Sequence, residues 1–205
     1  VTSAGPPREA GDRRRLRGDR SRRTVTRHAV DVASLDGLGG LSFGRLADEL
    51  GVSKAGIQTL FRTKEGLQLA TVETAGLVFA EEVVRPAHAT GPGPVRLHAL
   101  LDAWIAYIER PLLPGGCFWN ANLPEFDSRP GPIRDALTAQ RRAWLATLTT
   151  ELAHAAPTRA PADLDLIVFQ LDAAVAATNT ALRLGDSSST GKLRRVIADL
   201  VPARR

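Results

Sequence analysis

Apolar positions recur at helical spacing through most of the chain. Val25, Ala29, Val32 and Ala33 follow the i, i+4, i+7, i+8 pattern and predict a first helix over about Thr24 to Asp36, closed by the DGLGG run at Asp36–Gly40. Ser42 opens a second helix with Phe43, Leu46, Ala47 and Leu50 on one side. Ser53 opens a third over about 54–60. Thr63 opens a fourth reaching about Arg85, with Leu67, Ala70, Thr74, Leu77 and Val78 as its inward stripe and Pro86 as its stop. Ala87–Pro94 reads as a linker rich in helix breakers.

A fifth helix, about Val95 to Arg110 and ended by Pro111, points Leu97, Leu101, Trp104, Ile105 and Ile108 one way. A short helical piece at Cys117–Leu123, with a further turn through Phe126, sits between Gly/Pro brackets. A seventh helix over Pro132–Ala155 buries Ile133, Leu137, Trp144, Leu148 and Leu152. The eighth, Ala162–Leu184, is so poor in charge beyond Val168 that it must be covered on more than one side. The ninth runs from Lys192 to about Val201. The expected fold is all-α: a basic, disordered arm at 1–23, a three-helix unit at 24–66, and a helical bundle at 67–205.

Composition agrees with helices, since only 5% of residues are aromatic and Ala, Leu and Arg abound. The single cysteine, Cys117, cannot make an internal disulfide, so a reducing cytoplasm is the expected compartment. No apolar run approaches bilayer-spanning length and the first residues lack a signal-peptide core; a soluble protein without a membrane partner is expected.

The stretch Ser42–Lys64, SFGRLADELGVSKAGIQTLFRTK, gives the first functional signal. Ala47, Gly51 and Ile57 fall at the A-x3-G-x5-I spacing of a helix-turn-helix: a small residue where two helices cross, and a residue tolerant of positive φ at the turn. Leu46, Leu50, Val52 and Leu60 are the apolar residues such a unit would bury. A purely structural helical hairpin would satisfy the same three positions. Charge favours DNA: residues 1–64 carry 13 Lys/Arg against 7 Asp/Glu, and the remainder 14 against 15. An ordinary solvated surface is the alternative for any charge run. The arm itself, with 8 Arg and 3 acids, could follow a phosphate backbone or remain a solvated tail.

With GVSK, Phe61 and the TKE that opens the fourth helix in correct register, ADELGVSKAGIQTLFRTKEGL resembles the DNA-binding domain of the TetR family of bacterial transcriptional regulators, over roughly residues 22–68. The segment GGCFWNANLPEFDSRPGPIRDAL resembles ligand-binding domains of the same family. The chain departs from the family pattern at Gln58, where an aromatic is usual, and at Leu60, where His or Tyr is common. The backbone contact of that aromatic does not carry over. Gln58 offers instead a donor and acceptor matched to the N6/N7 edge of adenine.

The resemblance implies DNA contacts from Ser42, Lys54, Thr59 and Lys64, with Ala55 and Gly56 small enough to admit the recognition helix to the major groove; Ser53 caps that helix. It also implies a homodimer through the eighth and ninth helices, drawing on Leu164, Val168, Leu171, Val175, Leu182, Leu193, Val196, Ile197 and Leu200. The alanine-rich eighth helix favours close helix approach independently.

By similarity the bundle encloses an effector pocket. Its candidate lining is Val78, Trp104, Tyr107, Ile108, Phe118, Trp119, Asn122, Phe126, Trp144, Phe169, Asp172 and Asn179. Each aromatic could equally be plain core. Asp172 and Asn179 stand in apolar stretches and need a partner if buried. The implied function is a ligand-responsive repressor that binds a palindromic operator and is released by a small, mostly apolar effector. A DNA-binding regulator answering to a protein partner is the first alternative, and a helical enzyme or carrier a more distant one. Catalysis finds no support: Cys117 has no neighbouring His, and no Gly-rich phosphate loop or metal-ligand spacing appears. His98 and Asp102, at i and i+4, read as a surface pair. No cofactor or metal is expected.

Overall fold

The computed structural model describes residues 8–110 and 112–204. Residues 1–7 of the arm, and Pro111, read above as a helix stop, lie outside them. Among the described residues the chain forms nine helices and no strand, an all-α fold.

Helix α1, Arg8–Asp36, begins far earlier than its apolar periodicity predicts, so the arm is helical from Arg8 rather than disordered. Arginine and alanine favour the helix, and the buried half anchored by Val25, Ala29, Val30 and Ala33 supplies a formed nucleus from which the polar half extends. Arg22 ties that extension down: its Nη1 donates to the Leu60 carbonyl at 2.9 Å, and its guanidinium lies 4.7 Å from the centre of the Phe61 ring.

A 3-10 turn at Leu38–Gly40 leads to α2, Phe43–Leu50, and α3, Lys54–Phe61. The Ser42 hydroxyl accepts from the Arg45 N–H and the Ser53 hydroxyl from the Gly56 N–H, so both predicted N-caps form. Gly51 closes α2 at φ 64°, ψ 33°, the left-handed conformation that the turn demands. Leu46, Ala47 and Ile57 are buried at the crossing. Val52, expected inside, is 50% exposed, because its backbone continues the turn while its side chain leaves the interface.

Helix α4, Lys64–Phe79, is capped by Thr63, whose hydroxyl accepts from the Gly66 N–H. It passes through a π turn, Ala80–Val84, into a last helical turn, Arg85–Ala87. Pro86 therefore does not stop the helix. It cannot donate to the carbonyl four residues earlier, and its ring crowds that carbonyl; the wider π turn relieves the conflict. Leu77 faces solvent rather than the core, and the buried face uses Leu67, Thr71, Val72, Ala75 and Phe79.

Helices α5 (Pro94–Glu109), α6 (Phe118–Phe126), α7 (Pro132–Ala155), α8 (Pro161–Arg183) and α9 (Ser189–Leu200) complete the bundle. One continuous apolar core runs from Val25 to Val201 and joins the three-helix unit to the bundle. His98 and Asp102 fasten the chain end to α5: His98 Nε2 lies 2.8 Å from the Pro202 carbonyl, and Asp102 pairs with Arg194 and Arg204. No helix among the described residues is long and apolar enough to cross a membrane.

Candidate DNA-binding face and ligand cavity

The outer face of α3 carries every side chain that the sequence singled out there. Ser53, Lys54, Ala55, Gly56, Gln58 and Thr59 are all exposed, while Ile57 and Phe61 anchor the helix below. Thr59 spends its hydroxyl hydrogen on the Ala55 carbonyl at 2.8 Å. Ser42 is exposed at the start of α2. Lys64 is exposed at the start of α4, but its ammonium is not a free arm: Nζ donates to the Gly39 carbonyl at 2.6 Å. On the flank, Arg45 bonds both Glu49 and Asp36, and His28 Nε2 lies 2.6 Å from Glu49. The Arg45 guanidinium first, and His28 next, hold the Glu49 carboxyl below its ordinary range.

A cavity of about 940 Å³, open to solvent past the exposed Gln140, Arg141 and Arg142, lies between α4, α5, α6, α7 and α8. Phe79, Trp104, Trp119, Phe126 and Trp144 form its apolar wall. The Phe79 ring stands edge-on to Trp144 at 4.9 Å and to Trp119 at 6.4 Å, and Trp104 stands edge-on to Trp144 at 5.0 Å. Arg134, Arg141 and Arg142 of α7 and Asp172 of α8 supply charge. Asp172 is paired with Arg141, so its burial cost is met from within the protein.

Of the residues expected to line this cavity, Trp104, Trp119, Phe126, Trp144 and Asp172 do so. Seven do not. Tyr107, Ile108 and Phe118 are core, Tyr107 packing against the Phe79 edge at 5.2 Å. Val78 is half-buried away from the cavity, on the neighbouring face to Phe79. Phe169 is 67% exposed on the outer side of α8. Asn122 and Asn179 are buried but occupied by backbone. Asn179 Oδ1 accepts from the Cys117 N–H at 2.9 Å. Asn122 Oδ1 accepts from the Leu38 N–H at 2.7 Å, and its Nδ2 donates to the Ala33 and Phe118 carbonyls. Buried polar residues carry the same sequence signal whether they serve ligand or backbone. The sequence reading missed Phe79, Ala80 and the α7 arginines, which lie on faces that looked like core or solvent.

The helices that wall the cavity also hold the helix-turn-helix. On α6, Trp119, Leu123 and Phe126 face the cavity, whereas Asn122 and Glu125 grip the 3-10 turn, Glu125 accepting from the Gly39 N–H at 3.0 Å. On α4, Gly76, Phe79, Ala80 and Val84 border the cavity, whereas Gln68 donates to the Leu38 carbonyl at 2.8 Å and Lys64 to Gly39.

Residues 93–197 match the family described as Tetracyclin repressor-like, C-terminal domain, just over half of the chain. The chain belongs to the TetR family. It is a TetR-family transcriptional regulator by that match and by its fold. No curated protein matches it in sequence. Among solved structures, a TetR-family transcriptional regulator from Streptomyces coelicolor superposes with a TM-score of 0.74 at 19% identity, covering 97% of each chain. A TetR transcriptional regulator from Chloroflexus aurantiacus gives 0.78 at 22%, covering 91% of this chain and 98% of that one. A regulator from Saccharomonospora viridis, crystallised in complex with choline, gives 0.75 at 18%, covering 91% and 100%. These TetR-family likenesses, all below a quarter identity, concern the fold.

Most of the residues expected from sequence at a dimer interface are packed within the chain's own TetR fold. Leu164, Val168, Leu171, Val175, Leu193 and Ile197 are buried in its own core, and Leu182, Val196 and Leu200 are half-buried. The free apolar side of α8 is the opposite one, with Leu166 at 55% and Phe169 at 67% exposed and Leu184 just beyond its end. An eighth helix apolar all round does not tell from sequence which face its own bundle takes.

Proposed function

We propose that the protein is an effector-released repressor of the cytoplasm, binding a palindromic operator as a homodimer through α3 and carrying its ligand in the cavity of residues 67–205. The single observation behind this reading is the two-sidedness of α6, which presents Trp119 and Phe126 to the cavity and Asn122 and Glu125 to the turn between α1 and α2, inside the DNA-binding unit of residues 24–66. A ligand that fits one arrangement of the cavity better than another shifts the population of that arrangement, and α4 and α6 carry the shift to α3. The cavity supports a small molecule over a protein as the controlling partner. The exposed side of α8 supports pairing with a second copy, which sets two α3 helices about one DNA turn, ~34–36 Å, apart.

In the DNA reading Gln58 takes an adenine edge, Ser42 and Lys54 take phosphates, Lys64 does so with the ammonium hydrogens that Gly39 leaves it, and Thr59 joins by exchanging its Ala55 bond for a phosphate oxygen, with Ala55 and Gly56 allowing close approach and Ser53 holding the helix end. The test is selection of sites from random duplex DNA with the full chain and with Gln58→Ala. The proposal expects an inverted repeat with half-sites about one turn apart, and loss of preference at one base pair per half-site in the variant. Recovery of no repeat contradicts dimeric operator binding, and an unchanged site preference contradicts the role of Gln58.

A further inference from the structure

Taking the cavity as an effector site, we infer that its ligand is an organic anion, an apolar, preferably aromatic body carrying a carboxylate. Two features of the lining point there. The first is the apolar wall of Phe79, Trp104, Trp119, Phe126 and Trp144, which suits an aromatic or alkyl body.

The second is charge. Three guanidinium groups border the cavity, and only that of Arg141 has a carboxylate partner there, Asp172; Arg134 and Arg142 have none among the described residues. The other lining carboxylate, Asp127, accepts from the Ser128 hydroxyl at 2.8 Å and keeps its charge, so the lining sets three guanidinium groups against two carboxylates. Guanidinium forks match carboxylates in both charge and geometry. Aromatic walls by themselves would also suit an organic cation held over ring faces. The uncompensated arginines oppose that occupant and favour an anion.

All three tryptophans of the chain, Trp104, Trp119 and Trp144, line the cavity, so intrinsic fluorescence reports on it directly. The experiment titrates the full-length protein with matched sets sharing one body, such as 4-phenylbutyrate, 4-phenylbutanamide and 4-phenylbutan-1-amine, with longer alkyl and larger aryl homologues, and with choline. Carboxylates are expected to bind about tenfold to a hundredfold more tightly than their amides. The double substitution Arg134→Gln and Arg142→Gln should reduce the carboxylate to the level of its amide while leaving amide binding in place, which shows that the cavity has kept its shape. An amine or choline that binds more tightly than every carboxylate overturns the anion while leaving an effector cavity standing. Binding by no member of any set overturns both.

Discussion

The Leu38 N–H donates to Asn122 Oδ1 at 2.7 Å, so a fully buried side chain of α6 completes the turn between α1 and α2. The same Asn122 donates to the Ala33 carbonyl at the end of α1. Removing it leaves an N–H and a carbonyl unmet in the core. Asn122→Ala is expected to lower stability by about 2–3 kcal/mol in urea denaturation. It should also weaken the effect of a bound ligand on operator affinity more than it weakens ligand binding itself. A variant as stable as the parent and fully responsive would remove α6 from the pathway.

Gly115 fits where no side chain can. A Cβ there would stand 1.8 Å from the Ser34 backbone carbonyl oxygen, whose neighbours cannot move without shifting α1. Its own N–H donates to the Ser34 hydroxyl at 3.0 Å. Gly115→Ala should therefore cost more than about 3 kcal/mol or abolish folding, whereas Gly91→Ala, with open space around it, should fall within about 0.5 kcal/mol. Thermal unfolding of the pair compares them directly.

Cys117 is the chain's only thiol, and burial pushes it up to about 11. At pH 8 only about one molecule in a thousand then carries the reactive thiolate. A colorimetric disulfide reagent should label the native protein very slowly, accelerate as pH rises toward 11, and react at once after denaturation. Rapid labelling of the native state at pH 8 would place Cys117 in a site open to water.

Phe169 is 67% exposed, and the exposed Leu166 and Leu184 widen the apolar surface around it, the kind of patch that marks a contact with another protein. If the proposed homodimer pairs through this side, Phe169→Asp should give a folded monomer, read as a halved mass in light scattering with unchanged helical circular dichroism. Operator affinity should fall with it, because two half-sites no longer act together.

Helix positions were legible in the sequence because apolar period marks nearly every one and capping residues mark three: Ser42, Ser53 and Thr63 cap as read, and Ile133, Leu137, Trp144, Leu148 and Leu152 are all buried. The face of α3 was legible for the same reason, since Ile57 and Phe61 fix which side is left for Gln58 and Lys54. The cavity was half legible. Large aromatics announce an interior, but whether Phe118 fills the core or Trp119 faces a void depends on the rotation of a nine-residue helix. Asn122 and Asn179 looked like ligand groups because nothing local could satisfy them; their partners, Leu38 and Cys117, lie 84 and 62 residues away. The arm was misjudged because a stretch without apolar period can still propagate a helix that tertiary packing has started.

The proposed coupling of cavity to α3 must be reciprocal by thermodynamic necessity: if a ligand lowers operator affinity by some factor, operator must lower ligand affinity by the same factor. The decisive measurement is the tryptophan-fluorescence titration of a cavity ligand with the protein free and with it saturated by its selected operator. The account predicts ligand affinity weakened about fivefold or more on DNA, equal to the loss of operator affinity seen by anisotropy when ligand is added. Equal ligand affinity with and without operator would mean that the cavity does not speak to the DNA-binding face.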